Sequence, residues 1–210
     1  MIDSYTTILK SGMDEITIQK SRFIGYACPC ATDEDAQRFI QEIREKHRDA
    51  RHHCYAYIIG TNSGIMRYSD DGEPGGTAGM PMMDVLKNRH IVNCCVVVVR
   101  YFGGVLLGTG GLVRAYTQGC KIALDASDVV TMELSAAVGC KVSYSTWNLL
   151  QYALMKMPVK LEDVQYQEDV SFTLCVRLKD MNEAVRSVNS ISEGKTDWSK
   201  PEERYIPWDL

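Results

Sequence analysis

Apolar residues alternate with polar ones through Asp14–Thr17 and onward to Ile18, and again over Phe23–Cys28, which predicts two paired strands early in the chain. The spacing then changes. Ala36, Phe39, Ile40 and Ile43 recur at helical intervals behind Thr32-Asp33-Glu34-Asp35, a capping-box form, so a helix is expected from there to about His47. Cys54–Ile59 returns to strand period, with Tyr55, Tyr57 and Ile59 on one face, and Ile65–Tyr68 follows the turn Asn62-Ser63-Gly64. A stretch without period, Ser69 to Gly79, leads into a short helix from about Pro81 to Lys87, whose first turn suits proline. Val92–Tyr101 is apolar on both faces, as a central strand covered on both sides must be. A glycine-rich turn, Gly103 to Gly111, then opens a helix carrying Leu112, Val113, Tyr116, Ile122 and Leu124, which leaves through a polar exit at 125–128.

After about Met132 the pattern changes character. Ala136–Val142 reads as a strand, Thr146–Met157 as a helix stopped at Pro158, Val159–Gln167 and Val170–Leu178 as strands, Met181–Ile191 as a helix, and Thr196–Tyr205 as a last strand. The order β-α-β-β-α-β is that of a ferredoxin-like split βαβ domain. The expected fold class is therefore α+β in two domains, residues 1–132 and 133–210.

Composition narrows the field without naming a function. The chain has 210 residues, 45% hydrophobic and 24% charged, which excludes disorder and fibrous repeats. Its longest apolar run, Cys94 to Val99, is strand-length, far short of the ~18–20 residues a membrane helix needs, so no membrane partner is expected. The N-terminus shows neither a basic nor an apolar leader region, so a cytoplasmic location is expected. Eight cysteines occur with no Cys-x-x-Cys spacing, and they read as reduced, small apolar residues. One group, Cys28, Cys30, His52, His53 and Cys54, could converge on a metal if its two strands pair.

The net charge of −4 argues against a wholly basic nucleic-acid coat protein, but charge is uneven along the chain. Between Asp84 and Asp125 there is no carboxylate, whereas Lys87, Arg89, Arg100, Arg114 and Lys121 are all cationic. These cations could be scattered over solvated faces. They could also belong to an anion site, because backbone N–H groups of a glycine turn and the following helix N-terminus attract phosphate. On that reading Arg100 flanks the turn, Arg114 leans back from one helical turn in, Gly103, Gly104, Gly108, Gly110 and Gly111 supply the backbone, and Tyr101 and Phe102 stack on bases. A P-loop is excluded, because no Gly-x-x-x-x-Gly-Lys-Ser/Thr is present, and Gly-x-Gly-x-x-Gly fails in register. The acidic loop has two readings: Asp70, Asp71 and Glu73 could hold Mg²⁺, or they could accept backbone N–H bonds within a turn. No other cofactor is expected, and no catalytic triad is evident.

Four blocks resemble the YigZ/Impact family: His52-His53-Cys54-Tyr55-Ala56-Tyr57; Ser69-Asp70-Asp71-Gly72-Glu73-Pro74 with Gly76-Thr77-Ala78-Gly79; Val99-Arg100-Tyr101-Phe102-Gly103-Gly104; and Gly108-Thr109-Gly110-Gly111-Leu112-Val113-Arg114-Ala115-Tyr116. The resemblance implies a first domain of the ribosomal-protein-S5-domain-2-like fold and a ferredoxin-like second domain similar to the last domain of elongation factor G. Its eukaryotic members regulate translation by protein contact. Two positions depart from the family pattern: Met80 and Leu107 stand where arginine and lysine are usual, which removes positive charge from the anion site. The function expected is a translation-linked binding protein that meets RNA or a ribosome-associated partner through the glycine-turn face. The alternatives are a protein-only regulatory module and a Mg²⁺-dependent enzyme binding a nucleotide or phosphate ester.

Overall fold

The structure, a computed structural model, describes residues 2–208. In chain order its elements are β1 (Ser4–Ile8), β2 (Gly12–Ile18), β3 (Ser21–Pro29), α1 (Asp33–Lys46), β4 (His52–Ile59), β5 (Ile65–Ser69), α2 (Gly79–Asn88), β6 (Cys94–Tyr101), α3 (Gly108–Asp125), β7 (Val129–Val142), α4 (Tyr144–Leu154), β8 (Val159–Tyr166), β9 (Val170–Arg177), α5 (Met181–Ile191), β10 (Asp197–Trp198) and β11 (Glu202–Pro207). The mixed α+β class expected from the pattern is the class observed. The chain divides into one compact unit of residues 5–131 and a second of 132–208 with 2–4. Residues 2–4 thus group with the second unit and not with the first, and the division falls within β7.

The first unit is built on an antiparallel sheet of order β2-β3-β6-β4-β5. β6 is central and apolar on both faces because both are covered. Cys94, Val96 and Val98 join Met82 and Leu86 of α2 and Leu112, Ala115 and Tyr116 of α3. Cys95, Val97 and Val99 pack with Ala36, Ile40 and Ile43 of α1 on the other side. The capping box anticipated for α1 is present. Thr32 Oγ1 accepts from the Asp35 N–H at 3.1 Å, and the Thr32 N–H donates to Asp35 Oδ2 at 3.1 Å. Two of the four orphan donors of the first turn are thereby satisfied. α3 seats on β3 through a glycine: a Cβ at Gly25 would stand 2.2 Å from the Gly119 carbonyl oxygen, so only glycine lets helix and strand approach this closely.

In the second unit the sheet runs β8-β9-β7, with β10 and β11 both antiparallel to β7. This is the strand order of a split βαβ domain. Trp147, Leu150 and Leu154 of α4 and Val188 of α5 pack against Cys140, Phe172 and Leu174 of the sheet. The last strand is not continuous, contrary to the expectation for Thr196–Tyr205. Trp198 pairs with Cys140 but Glu202 pairs with Ala137, which leaves one extra residue on the outer strand. Pro201 lies within the break, where a ladder N–H is not needed. Ser199 fills the gap by donating its N–H to the Gly139 carbonyl and accepting the Gly139 N–H on Oγ, both at 2.8 Å.

Two substitutions test these contacts by urea denaturation. Thr32→Ala is expected to lower stability by about 1 kcal/mol, the usual value of an N-cap. Gly25→Ala is expected to cost about 1–3 kcal/mol through overpacking against α3. An unchanged midpoint for Gly25→Ala would show that α3 can move away from β3 without penalty.

Candidate functional site

β6 ends in Arg100-Tyr101-Phe102, and the three residues have different fates. Arg100 is buried, 6% exposed, and does not present its guanidinium to solvent. Its Nη1 donates to both carboxylate oxygens of Glu73, at 2.8 and 3.1 Å, and its Nη2 donates to Ser21 Oγ at 3.4 Å. The rings of Phe23 and Phe102 lie 5.5 Å from the guanidinium carbon. Tyr116 of α3 donates its hydroxyl to Glu73 Oε1 at 2.7 Å. Burial, together with Cys54 and Glu73 beside it, pushes the Tyr116 pKa far up, so the phenol remains a donor. The flanking cation proposed for an anion site is therefore one half of a buried ion pair, because Glu73 on the acidic loop reaches it first.

Tyr101 is engaged as well. Its hydroxyl donates to Asp49 Oδ1 at 2.9 Å and lies 2.9 Å from His47 Nδ1, while His47 Nε2 is 2.8 Å from the Tyr26 hydroxyl. These contacts hold the ring at the α1 side of the sheet and leave it less available for stacking than the sequence suggests. Burial, with Lys46 and His53 nearby, lowers the His47 pKa from its ordinary value. Neither His47 nor Tyr116 stands out in the sequence as part of a network. The only sign at Tyr116 is its place in the fourth quoted block.

The acidic loop folds on itself. Against desolvation, which raises its pKa, Asp70 is held below the ordinary carboxylate value by the N–H groups of Gly76, Gly79 and Ala78, at 2.8, 2.8 and 2.9 Å. The Ala78 and Gly79 contacts also satisfy donors at the start of α2. Asp71 accepts from Arg44 at 2.9 Å and from the His53 N–H at 2.7 Å, and its own carbonyl lies 2.9 Å from His52 Nδ1. Thr77 turns its hydroxyl onto the Pro74 carbonyl at 2.7 Å. The three carboxylates thus face three separate sets of protein donors, which does not fit a shared Mg²⁺ shell. The Cys28, Cys30, His52, His53 and Cys54 group does not converge either, because β6 lies between β3 and β4. No group of three or more His, Cys, Asp or Glu suited to a metal occurs among the described residues.

What reaches solvent is the segment after β6. Gly103 is pinned, since a Cβ there would stand 2.0 Å from the Lys20 backbone, and its N–H donates to Ser21 Oγ at 3.2 Å. Phe102 is 55% exposed and Leu106 85% exposed, while Gly104, Gly108, Gly110 and Arg114 are also exposed. The glycine word differs from its expected form. Gly108-Thr109-Gly110-Gly111 is the first turn of α3 and not a loop before it, with Leu107 at the N-cap and no side-chain cap. Its leading N–H groups therefore lack intrahelical partners.

Residues 19–124 match the Impact N-terminal domain, and residues 140–195 match a domain of unknown function, DUF1949. The chain belongs to the IMPACT family. It is 39% identical to the IMPACT family member YvyE of Bacillus subtilis, over 98% of this chain and 95% of that protein. It is 49% identical to the IMPACT family member YigZ of Escherichia coli, over 51% of this chain and 53% of that one. A solved structure titled as that of a hypothetical protein superposes with a TM-score of 0.61 at 32% identity, covering 97% of this chain and 100% of the other. The Impact match spans all four blocks, and hence both the Glu73–Arg100 pair and the exposed segment.

Two outcomes follow from this geometry. Glu73→Ala leaves a buried guanidinium without its carboxylate and should cost about 3–5 kcal/mol, whereas Glu73→Leu with Arg100→Met should cost less than the sum of the two single changes. Denaturant titration of wild type, Glu73→Ala, the two single variants Glu73→Leu and Arg100→Met, and the double variant measures these differences. Because the folded state lowers the His47 pKa, the unfolded state binds more protons below about 6.5, so stability should fall as pH drops through that range. His47→Gln should flatten this dependence in thermal melts between pH 7 and 5.

Proposed function

We propose that this IMPACT family member is a regulatory binding protein that docks a partner protein on residues 102–114 of its first unit. The observation that carries this reading is the exposure of Leu106 and Phe102 immediately before an uncapped helix start. Val105, 38% exposed, adds to the same segment. Exposed apolar side chains gathered in one segment, with an arginine at the margin, have the make-up of a protein contact. The base of the segment is held by Gly103 on Ser21 and by Arg100 beneath Phe102, so little ordering is needed when a partner arrives. A link to translation rests on the resemblance to the family's eukaryotic regulators.

A second reading, RNA contact, is favoured by the carboxylate-free stretch and its exposed Lys87, Arg114 and Lys121. It is weakened by the pairing of Arg100 with Glu73 and of Arg89 with Asp125, which removes two of the five cations. Affinity capture from lysate separates the two. The protein reading expects a partner that survives nuclease, binds with little salt dependence, and is lost about tenfold or more on Leu106→Ser at unchanged melting temperature. Loss of all captured material on nuclease treatment, with a steep salt slope relieved by Arg114→Ala, would replace it with the RNA reading.

A further inference from the structure

Seven of the eight cysteines are buried, and Cys28 alone is half-exposed. It stands near the end of β3, two residues before Cys30, with Pro29 between them. Ser11 donates its hydroxyl to Cys28 Sγ at 3.4 Å, and Cys30 Sγ turns back onto the Cys28 carbonyl at 3.5 Å. The second thiol is 3% exposed and is reached only after the first. The contact with Cys30 and the Ser11 hydroxyl together pull the Cys28 thiol below its ordinary pKa, against burial and the charges of Glu42 and Asp35. The same contact and burial push Cys30 up. Cys28 is reachable from solvent and takes a hydrogen bond from Ser11, while Cys30 two residues on is shielded, which is the arrangement of an attacking and a resolving cysteine.

We propose that Cys28 and Cys30 form a peroxide-responsive thiol pair in which Cys28 is oxidised and Cys30 closes a disulfide on it. The Cys28 thiolate attacks one oxygen of a hydroperoxide. The S–O bond forms as the O–O bond breaks, giving Cys28 sulfenic acid and hydroxide, or alkoxide from an organic peroxide. Cys30, yielding its proton, then attacks the Cys28 sulfur, and water leaves as the S–S bond forms. In total, two thiols are oxidised, one peroxide is reduced, and two hydroxyl compounds are released. Two strand steps span about 6.6 Å, at the upper end of the Cα separations a disulfide bridges, so the bond is a reducible one suited to a reversible change.

The test uses the full-length protein, hydrogen peroxide and mass spectrometry of the tryptic peptide 23–38, which contains both cysteines and no others. Wild type should lose about 2 Da in this peptide and regain it with dithiothreitol. Cys30→Ser should stop at a Cys28 sulfenic acid trapped by dimedone, and Cys28→Ser should leave Cys30 reduced. Iodoacetamide labelling of untreated wild type at neutral pH, which needs no variant, should modify Cys28 first. The proposal is overturned if Cys28 stays reduced, if a disulfide forms with the facing Cys95 in place of Cys30, or if Cys28 is labelled no faster than the buried thiols.

Discussion

The first unit depends on one buried ion pair. Glu73 and Arg100 have side chains 3% and 7% exposed, so each charge has lost nearly all its water and is supportable only while the other is in place. That condition ties together segments far apart in sequence. Glu73 fixes the acidic loop onto the end of β6, Tyr116 adds the third turn of α3, and Ser21 adds the start of β3. Asp70 then cannot wander, and its backbone contacts set where α2 begins. The loop has no apolar period because its order comes from directed polar bonds and not from a buried stripe. Such networks specify a unique arrangement when every member is satisfied. Here Arg100 Nε alone is left without a partner.

Much of the fold was legible in the sequence, for identifiable reasons. β6 announced itself because a strand covered on both faces must be apolar at every position, and α1 because Thr32 and Asp35 make a local signal that needs no tertiary context. The strand order β8-β9-β7 followed from a helix–strand alternation with few right-handed solutions. The last strand is interrupted where the strand pattern predicts continuity, and Pro201 marks the break.

The site was less legible because burial of charge is a tertiary fact. Arg100 and Glu73 each looked like surface groups on their own segment, and nothing local indicates that 27 residues apart they meet. The cysteine and histidine group does not assemble for a topological reason: β6 lies between β3 and β4, and strand period marks a strand as central without stating which strands are its neighbours. Glycine disfavours helix interiors, so the glycine word points to a turn that opens a helix and not to the helix itself. In the structure these glycines occupy a first turn, where the backbone lacks partners in any case and where Leu107 supplies no cap.

The two chemical features of this unit sit at opposite ends of one ladder. On β3, Arg22 faces Tyr101 beside the exposed segment, while Cys28 faces Cys95 six residues further along. At about 3.3 Å per residue this separates them by roughly 20 Å, too far for direct contact. A change at Cys28 therefore acts on its own surroundings first: the Ser11 contact, and the N-cap of α1, where Thr32 follows Cys30 by two residues. α1 in turn carries Arg44, which holds Asp71, and leads to His47, which holds Tyr101. α1 is thus the element whose N-cap lies two residues from the thiol pair and whose last turns contact the acidic loop and Tyr101.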